Sequence, residues 1–210
     1  MRVIAGIYRS RKLAAPHGME TRPTSDRLRE TLFNILGPRI AGCRFADLYA
    51  GTGAVGIEAI SRGAEYVWFA EKAAPAVAAI RGNLTTLKIA RGFMLETRSV
   101  GALLERLARA AHGAADAGEI LHAPALLDLI YLDPPWDAEA EYAATLNWLG
   151  GTRGRLILAQ DALVVAEHSS KRALADRYGE LVQTRTLKQG DAALSFYALA
   201  IEPEVRDAIG

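Results

Sequence analysis

The sequence predicts an α/β fold built around a largely parallel sheet, on three observations. From Arg44 onward, short apolar runs alternate with stretches of helical character. The gaps between those runs are long enough for the crossovers that parallel neighbours require. The last two runs are separated only by Lys188-Gln189-Gly190-Asp191-Ala192, a spacing that suits an antiparallel hairpin ending the sheet.

Taken in order, residues 2–5 and 12–15 read as two short strands around the basic link Tyr8-Arg9-Ser10-Arg11, a small hairpin. After a loop ending in Thr21-Arg22-Pro23, the cluster Thr24-Ser25-Asp26 offers N-cap oxygens. Leu28, Leu32, Ile35 and Leu36 then form a helical stripe ended by Gly37-Pro38, with Arg27 and Arg29 outside it. Strands are predicted at 45–49, 66–70, 93–95, 126–132 and 162–166, and helices at 55–61, 75–87, 101–111 and 138–149. The closing hairpin takes 181–187 and 193–201. The expected division is a basic hairpin-and-helix head, residues 1–37, on a domain of residues 38–210.

Half of the 210 residues are apolar and 23% are charged, which excludes a disordered or fibrous chain. The net charge of +1 hides an asymmetry. Residues 1–44 hold nine Arg/Lys against three Asp/Glu, so a basic head sits on a mildly acidic body, as expected of a local anion-binding surface. The single cysteine, Cys43, forms no internal disulfide and calls for no oxidising compartment, so the cytoplasm is expected. No run approaches the ~20 apolar residues of a membrane-spanning helix, so no membrane partner is expected. His17, His112, His122 and His168 show no metal-ligand spacing, and no metal is expected.

The stretch Asp47-Leu48-Tyr49-Ala50-Gly51-Thr52-Gly53-Ala54-Val55-Gly56 places a glycine-rich turn between a strand and a helix, where bare backbone lets a ligand approach a helix N-terminus. Glu71 ends the next strand, where a carboxylate can accept both hydrogen bonds of a ribose diol. The glycine spacing alone also matches a nicotinamide dinucleotide. Asp47 favours S-adenosylmethionine, because an anion beside the site suits an ammonium and a sulfonium better than a pyrophosphate. Asp47, Tyr49, Gly51, Thr52, Gly53 and Glu71 are the expected cofactor-binding residues.

Leu129-Ile130-Tyr131-Leu132-Asp133-Pro134-Pro135-Trp136 leads a buried strand into a rigid carboxylate turn ending in an aromatic. Two consecutive prolines fix φ and contribute no N–H donors, so carbonyl oxygens can face a ligand. That platform suits an exocyclic amine on a flat base, whose lone pair is delocalised into the ring. Hydrogen bonds from the amine to the Asp133 carboxylate and the Pro134 carbonyl favour a pyramidal nitrogen and free its lone pair for in-line attack on a methyl group. Trp136 offers a face on which the base can stack. Asp133, Pro134, Pro135 and Trp136 are therefore the expected catalytic corner.

Together these residues resemble the Rossmann-like, class I S-adenosylmethionine-dependent methyltransferases that modify exocyclic amines. More narrowly, the chain resembles the RsmD family of 16S ribosomal RNA guanine-N2 methyltransferases. The narrow resemblance rests on Arg22-Pro23-Thr24-Ser25-Asp26-Arg27-Leu28-Arg29-Glu30-Thr31-Leu32-Phe33-Asn34, similar to the family's Arg-Pro-Thr-x-Asp-Arg-Val-Arg-Glu-x-Leu-Phe-Asn, and on Ser61-Arg62-Gly63-Ala64. It implies a seven-stranded sheet with the last strand antiparallel, and Ser99 near the cofactor's adenine. It also implies 16S rRNA as the partner, within an assembling small subunit or free of it; no obligate protein partner is evident in the sequence. Arg9, Arg11, Lys12, Arg22, Arg27 and Arg29 are the expected phosphate contacts. The family's usual Gly-Gly and Gly-Arg in the first hairpin are Ala5-Gly6 and Ser10-Arg11 here, and Trp136 replaces its usual Phe or Tyr. Three rivals stand beside this reading: an adenine-N6 methyltransferase of DNA or another RNA, a nicotinamide oxidoreductase, and a non-catalytic RNA-binding assembly factor.

Overall fold

The computed structural model describes residues 1–15, 25–116 and 126–200. Arg22, with Pro23 and Thr24 of the signature, and His17 and His122 lie outside them. Helix α1 spans Asp26–Leu36, capped by the Ser25 hydroxyl, which accepts from the Leu28 amide. Then come β1 (Arg44–Leu48), α2 (Ala54–Ser61), β2 (Tyr66–Ala70), α3 (Ala74–Thr86), β3 (Phe93–Glu96) and α4 (Val100–Asp116). They are followed by β4 (Leu127–Leu132), α5 (Glu139–Leu149), α6 (Thr152–Arg155), β5 (Leu158–Ser169), β6 (Arg177–Tyr178), β7 (Leu181–Gln189) and β8 (Ala192–Leu199).

The strands form one sheet in the order β3-β2-β1-β4-β5-β8-β7-β6. Strands β1 to β5 are parallel, and β8 is antiparallel to both β5 and β7. The chain steps outward from β1 to β3 and then restarts at β4 on the other side of β1. The C-terminal ends of β1 and β4 are therefore the switch point, where open α/β sheets bind ligands. Alternation along the strands feeds two cores: Phe45, Leu129 and Tyr131 point to the α1–α3 face, and Ala46, Ile130 and Leu132 to the α4–α6 face.

Three expectations need correction. The sheet has eight strands rather than seven, because the two-residue β6 extends the edge beyond β7. The two strands expected at 2–5 and 12–15 reduce to a single antiparallel bridge, Arg2 with Lys12. The segment is fixed instead by side chains of α2: the Glu58 carboxylate accepts from the Ile4 amide at 2.7 Å and the Ala5 amide at 2.9 Å, and the Ser61 hydroxyl accepts from the Tyr8 amide at 3.0 Å.

Arg29, expected to face RNA, is fully buried. It shares a face of α1 with Phe33 and Leu36, so the apolar stripe is wider than the row through Leu28 and Leu32. Its guanidinium donates to Asp26 at 3.0 Å and to the Arg2 carbonyl, and lies 3.9 Å from the buried Glu58 carboxylate. Arg29 thus holds the head together, while Arg9, Arg11, Lys12 and Arg27 are exposed. Val3, Leu13, Leu28 and Leu32 belong to the same apolar cluster as Phe45 and Phe69 of the sheet, so head and body share a core.

Candidate active site

Past the end of β1 the chain reverses sharply. Tyr49 adopts a left-handed φ of 63°, and Gly53 (φ 75°) is the N-cap of α2. A bulky residue with positive φ is strained, and the Tyr49 side chain is tied down accordingly: its hydroxyl donates to Glu141 and meets the Thr145 hydroxyl, each at 2.8 Å on α5. Gly56 is required by packing, since a Cβ there would stand 2.3 Å from the Phe69 ring. With that space free, the Gly56 amide reaches the Asp47 carboxylate at 2.8 Å.

Asp47 is 1% exposed. Burial pushes its carboxyl up to about 8; the Gly56 amide opposes the rise and the Glu71 charge adds to it. Glu71 closes the bend from the neighbouring strand, accepting from the Gly51 amide and the Ala73 amide, both at 2.8 Å. Ser99 uses its hydroxyl to cap α4, accepting from the Ala102 amide at 3.1 Å. The Thr52 hydroxyl donates to the Met1 sulfur at 3.3 Å, which brings the head to the edge of the bend.

The second loop leaves β4 at Asp133. Its amide donates to the Leu48 carbonyl at 3.3 Å, continuing the β1–β4 register in which Leu48 pairs with Leu132. The Tyr142 hydroxyl of α5 donates to the Glu167 carbonyl at 2.9 Å and lies 3.2 Å from the Pro134 carbonyl. Burial, reinforced by the charges of Asp133 and Glu167, raises this phenol well above its ordinary range, so it remains a donor at any working pH. Arg172 donates to the Trp136 carbonyl at 2.7 Å and pairs with Glu139, holding the outer end of the turn.

The two loops face one cleft of about 880 Å³. Of the expected cofactor and catalytic residues, all except Gly53 line it; Gly53 lies behind the wall, packed toward Ile80. Sequence reasoning missed Tyr142, Arg172, Glu141 and Met1. None had a readable signal, because each acts across a contact between distant segments.

S-adenosylmethionine is the group this fold implies, and the residues fit it. A cationic ligand offsets the penalty on the charged form of the buried Asp47 carboxyl, whereas a pyrophosphate would worsen that penalty and lie beside the Glu71 carboxylate.

Residues 1–198 match the family described as Conserved hypothetical protein 95. The chain belongs to this family. The Bacillus subtilis protein "Putative rRNA methyltransferase YlbH" is 34% identical over 201 residues, covering 94% of this chain and 98% of that protein. Ribosomal RNA small subunit methyltransferase D of Haemophilus influenzae is 35% identical over 156 residues, 71% of this chain and 73% of its own. Among solved structures, the Escherichia coli protein titled "Putative methyltransferase yhhF" superposes with a TM-score of 0.76 at 27% identity, covering 96% of this chain and 99% of the other. The fold shared by this member of the Conserved hypothetical protein 95 family is thus the Rossmann-like methyltransferase fold, here with eight strands in the sheet. Among the described residues no group of His, Cys, Asp or Glu is placed to hold a metal, and no helix is long and apolar enough to cross a membrane.

Proposed function

We propose that this protein transfers a methyl group from S-adenosylmethionine to the exocyclic N2 amine of a guanine in 16S ribosomal RNA, leaving S-adenosylhomocysteine and a proton. The observation that carries the reading is the shared cleft, with the glycine bend and the Asp133–Trp136 turn side by side at the switch point. Kinship with proteins named as ribosomal RNA methyltransferases supports the substrate class.

When bound, the cofactor supplies an electrophilic methyl on a sulfonium. The chain does the rest by placement. Asp47 and Glu71 form the acidic floor and side of the cofactor end, and Tyr49, Gly51, Thr52 and Ser99 complete its wall. The Asp133 carboxylate and the Pro134 carbonyl accept the two N–H groups of the target amine, so its lone pair is turned away from the ring and toward the methyl group. Tyr142 behind Pro134 and Arg172 behind Trp136 keep the turn from relaxing away from the base. Trp136, half-buried, presents a ring to the base, where stacking contributes about 1 to 3 kcal/mol. Arg9, Arg11, Lys12 and Arg27 place the RNA by its phosphates.

The test is radiolabelled methyl transfer to naked 16S RNA and to partly assembled small subunits, followed by nucleoside analysis and mapping. Label in N2-methylguanosine is the expected result. Label in N6-methyladenosine rejects guanine specificity, and absence of transfer in a single turnover rejects catalysis.

A further inference from the structure

The charge asymmetry of the sequence points to the head as the basic surface, but the fold assembles a second one on the acidic body. A groove of about 360 Å³ lies against α4, lined by Arg98, Gly101, Ala102, Glu105, Arg106 and Arg109. Gly101 also lines the main cleft, so the groove adjoins the cleft wall. The acids nearby are already engaged. Glu96 is held by Arg98 at 2.8 and 2.9 Å, and Glu105 accepts from Arg153 and from the Trp148 indole at 3.1 Å. Arg106 and Arg109 are exposed, and their charges reach Glu96 and Glu105, whose hydrogen-bond partners are Arg98, Arg153 and Trp148. They sit one turn apart on one face of α4, so their charges add over the groove, and Glu105, one turn before Arg109 and held by Arg153, offsets them in part.

We propose that this groove is a second phosphate-binding surface for the RNA substrate, with Arg106 and Arg109 as its contacts and Arg98 at its cleftward end. The proposal rests on the reading of the protein as an RNA methyltransferase and adds a requirement to it. Helices α1 and α2 and the head cover one face of the sheet, and α4 covers the other. An RNA that touches both surfaces must straddle the cleft, so the substrate is a folded RNA held on two sides of the target base rather than a short single strand. Two small residues, Gly101 and Ala102, line the groove beside the three arginines.

The experiment compares the full chain with R106E/R109E and R106K/R109K, using 16S RNA, naked or in partly assembled small subunits, and a short single-stranded oligonucleotide carrying the target guanine. The charge-reversed variant is expected to raise KM for 16S RNA about tenfold at physiological salt. It should also lower the slope of log KM against log salt by about 2, one for each lost phosphate contact. The lysine variant keeps most of both, because a phosphate contact needs the charge. Turnover at saturating RNA, the affinity for S-adenosylhomocysteine and KM for the oligonucleotide remain those of the wild type. An unchanged KM and salt slope in R106E/R109E overturns the proposal while wild-type methyl transfer stands. An equal loss on the oligonucleotide overturns it as well, since the groove would then act on the cleft and not on a distant backbone. A wild-type protein that methylates neither naked 16S RNA nor partly assembled small subunits removes the underlying reading and this proposal together.

Discussion

The amide of Asp133 donates to the carbonyl of Leu48, joining the residue that opens the proline turn to the strand that opens the glycine bend. The two loops are thereby held in register by the sheet itself, since Leu48 and Leu132 are partners in the parallel pairing of β1 with β4. A transfer reaction gains most from such prior alignment, because the reacting atoms need not be brought into line at each encounter.

Asp133→Ala removes a carboxylate acceptor without touching that backbone link. Turnover is expected to fall about 100-fold or more, the scale of losing one preorganised electrostatic contact, while the affinity for S-adenosylhomocysteine stays within about twofold. Single-turnover methyl transfer together with calorimetric titration of the cofactor product checks both halves. Unchanged turnover removes the orienting role from Asp133.

Arg27 and Arg29 stand two residues apart in one signature and are expected to fail in different ways. Arg27 is exposed, so Arg27→Glu should raise KM for RNA several-fold and leave thermal unfolding where it was. Arg29→Ala leaves the Glu58 carboxylate buried without one of its two cationic neighbours, and should lower stability by about 3 kcal/mol. Denaturant unfolding beside an RNA binding measurement separates the two; equal losses of stability would mean that Arg27 is also part of the scaffold.

That pair also marks how far the sequence could be read. The strands at 66–70 and 127–132 and the helix after the glycine bend were legible within a residue or so, because each is a short apolar run or a periodic stripe bounded by turn residues. The two loops of the cleft were legible because local chemistry defines them: glycines at a strand end, and an acid before two prolines. Strand β5 runs from Leu158 rather than 162, through the exposed Gln160 and Asp161; a register shift against β4 carries the strand past them, and no periodicity announces such a shift. Arg29, Tyr142 and Arg172 owe their roles to partners 27, 25 and 36 residues away, so neither composition nor spacing revealed them.

Asn83 couples the head to the cofactor bend. Its side chain, 3% exposed, exchanges two hydrogen bonds with Ala14 (2.8 and 3.1 Å) and donates to the Thr52 carbonyl at 3.1 Å. Asn83→Asp keeps the acceptor for the Ala14 amide and loses both donors, leaving two carbonyls without their partner. Stability should fall by about 1 to 3 kcal/mol. The rise in Tm produced by saturating S-adenosylhomocysteine should also shrink, since Thr52 is no longer held. A lower Tm with a full-sized ligand-induced rise would confine Asn83 to anchoring the head.

Asp47 should make cofactor binding release a proton. Its folded-state value near 8 lies above the value of 3.8 expected when exposed, so at neutral pH the folded protein without ligand retains a proton that the unfolded chain has lost. The sign follows: the stability associated with this group is fully present below about pH 3.8 and is lost progressively as pH rises through about 8, and Asp47→Asn should flatten that part of the stability curve. An ammonium brought into the cleft favours the charged carboxylate and expels the proton. Calorimetry of S-adenosylhomocysteine binding at pH 7 in phosphate and in Tris should therefore give enthalpies that differ with buffer ionisation, whereas methylthioadenosine, which lacks the ammonium, should show no such difference. Asp47→Asn should abolish the buffer dependence and weaken binding about tenfold, and a buffer-independent enthalpy in the wild type would show that Asp47 is already charged before the ligand arrives.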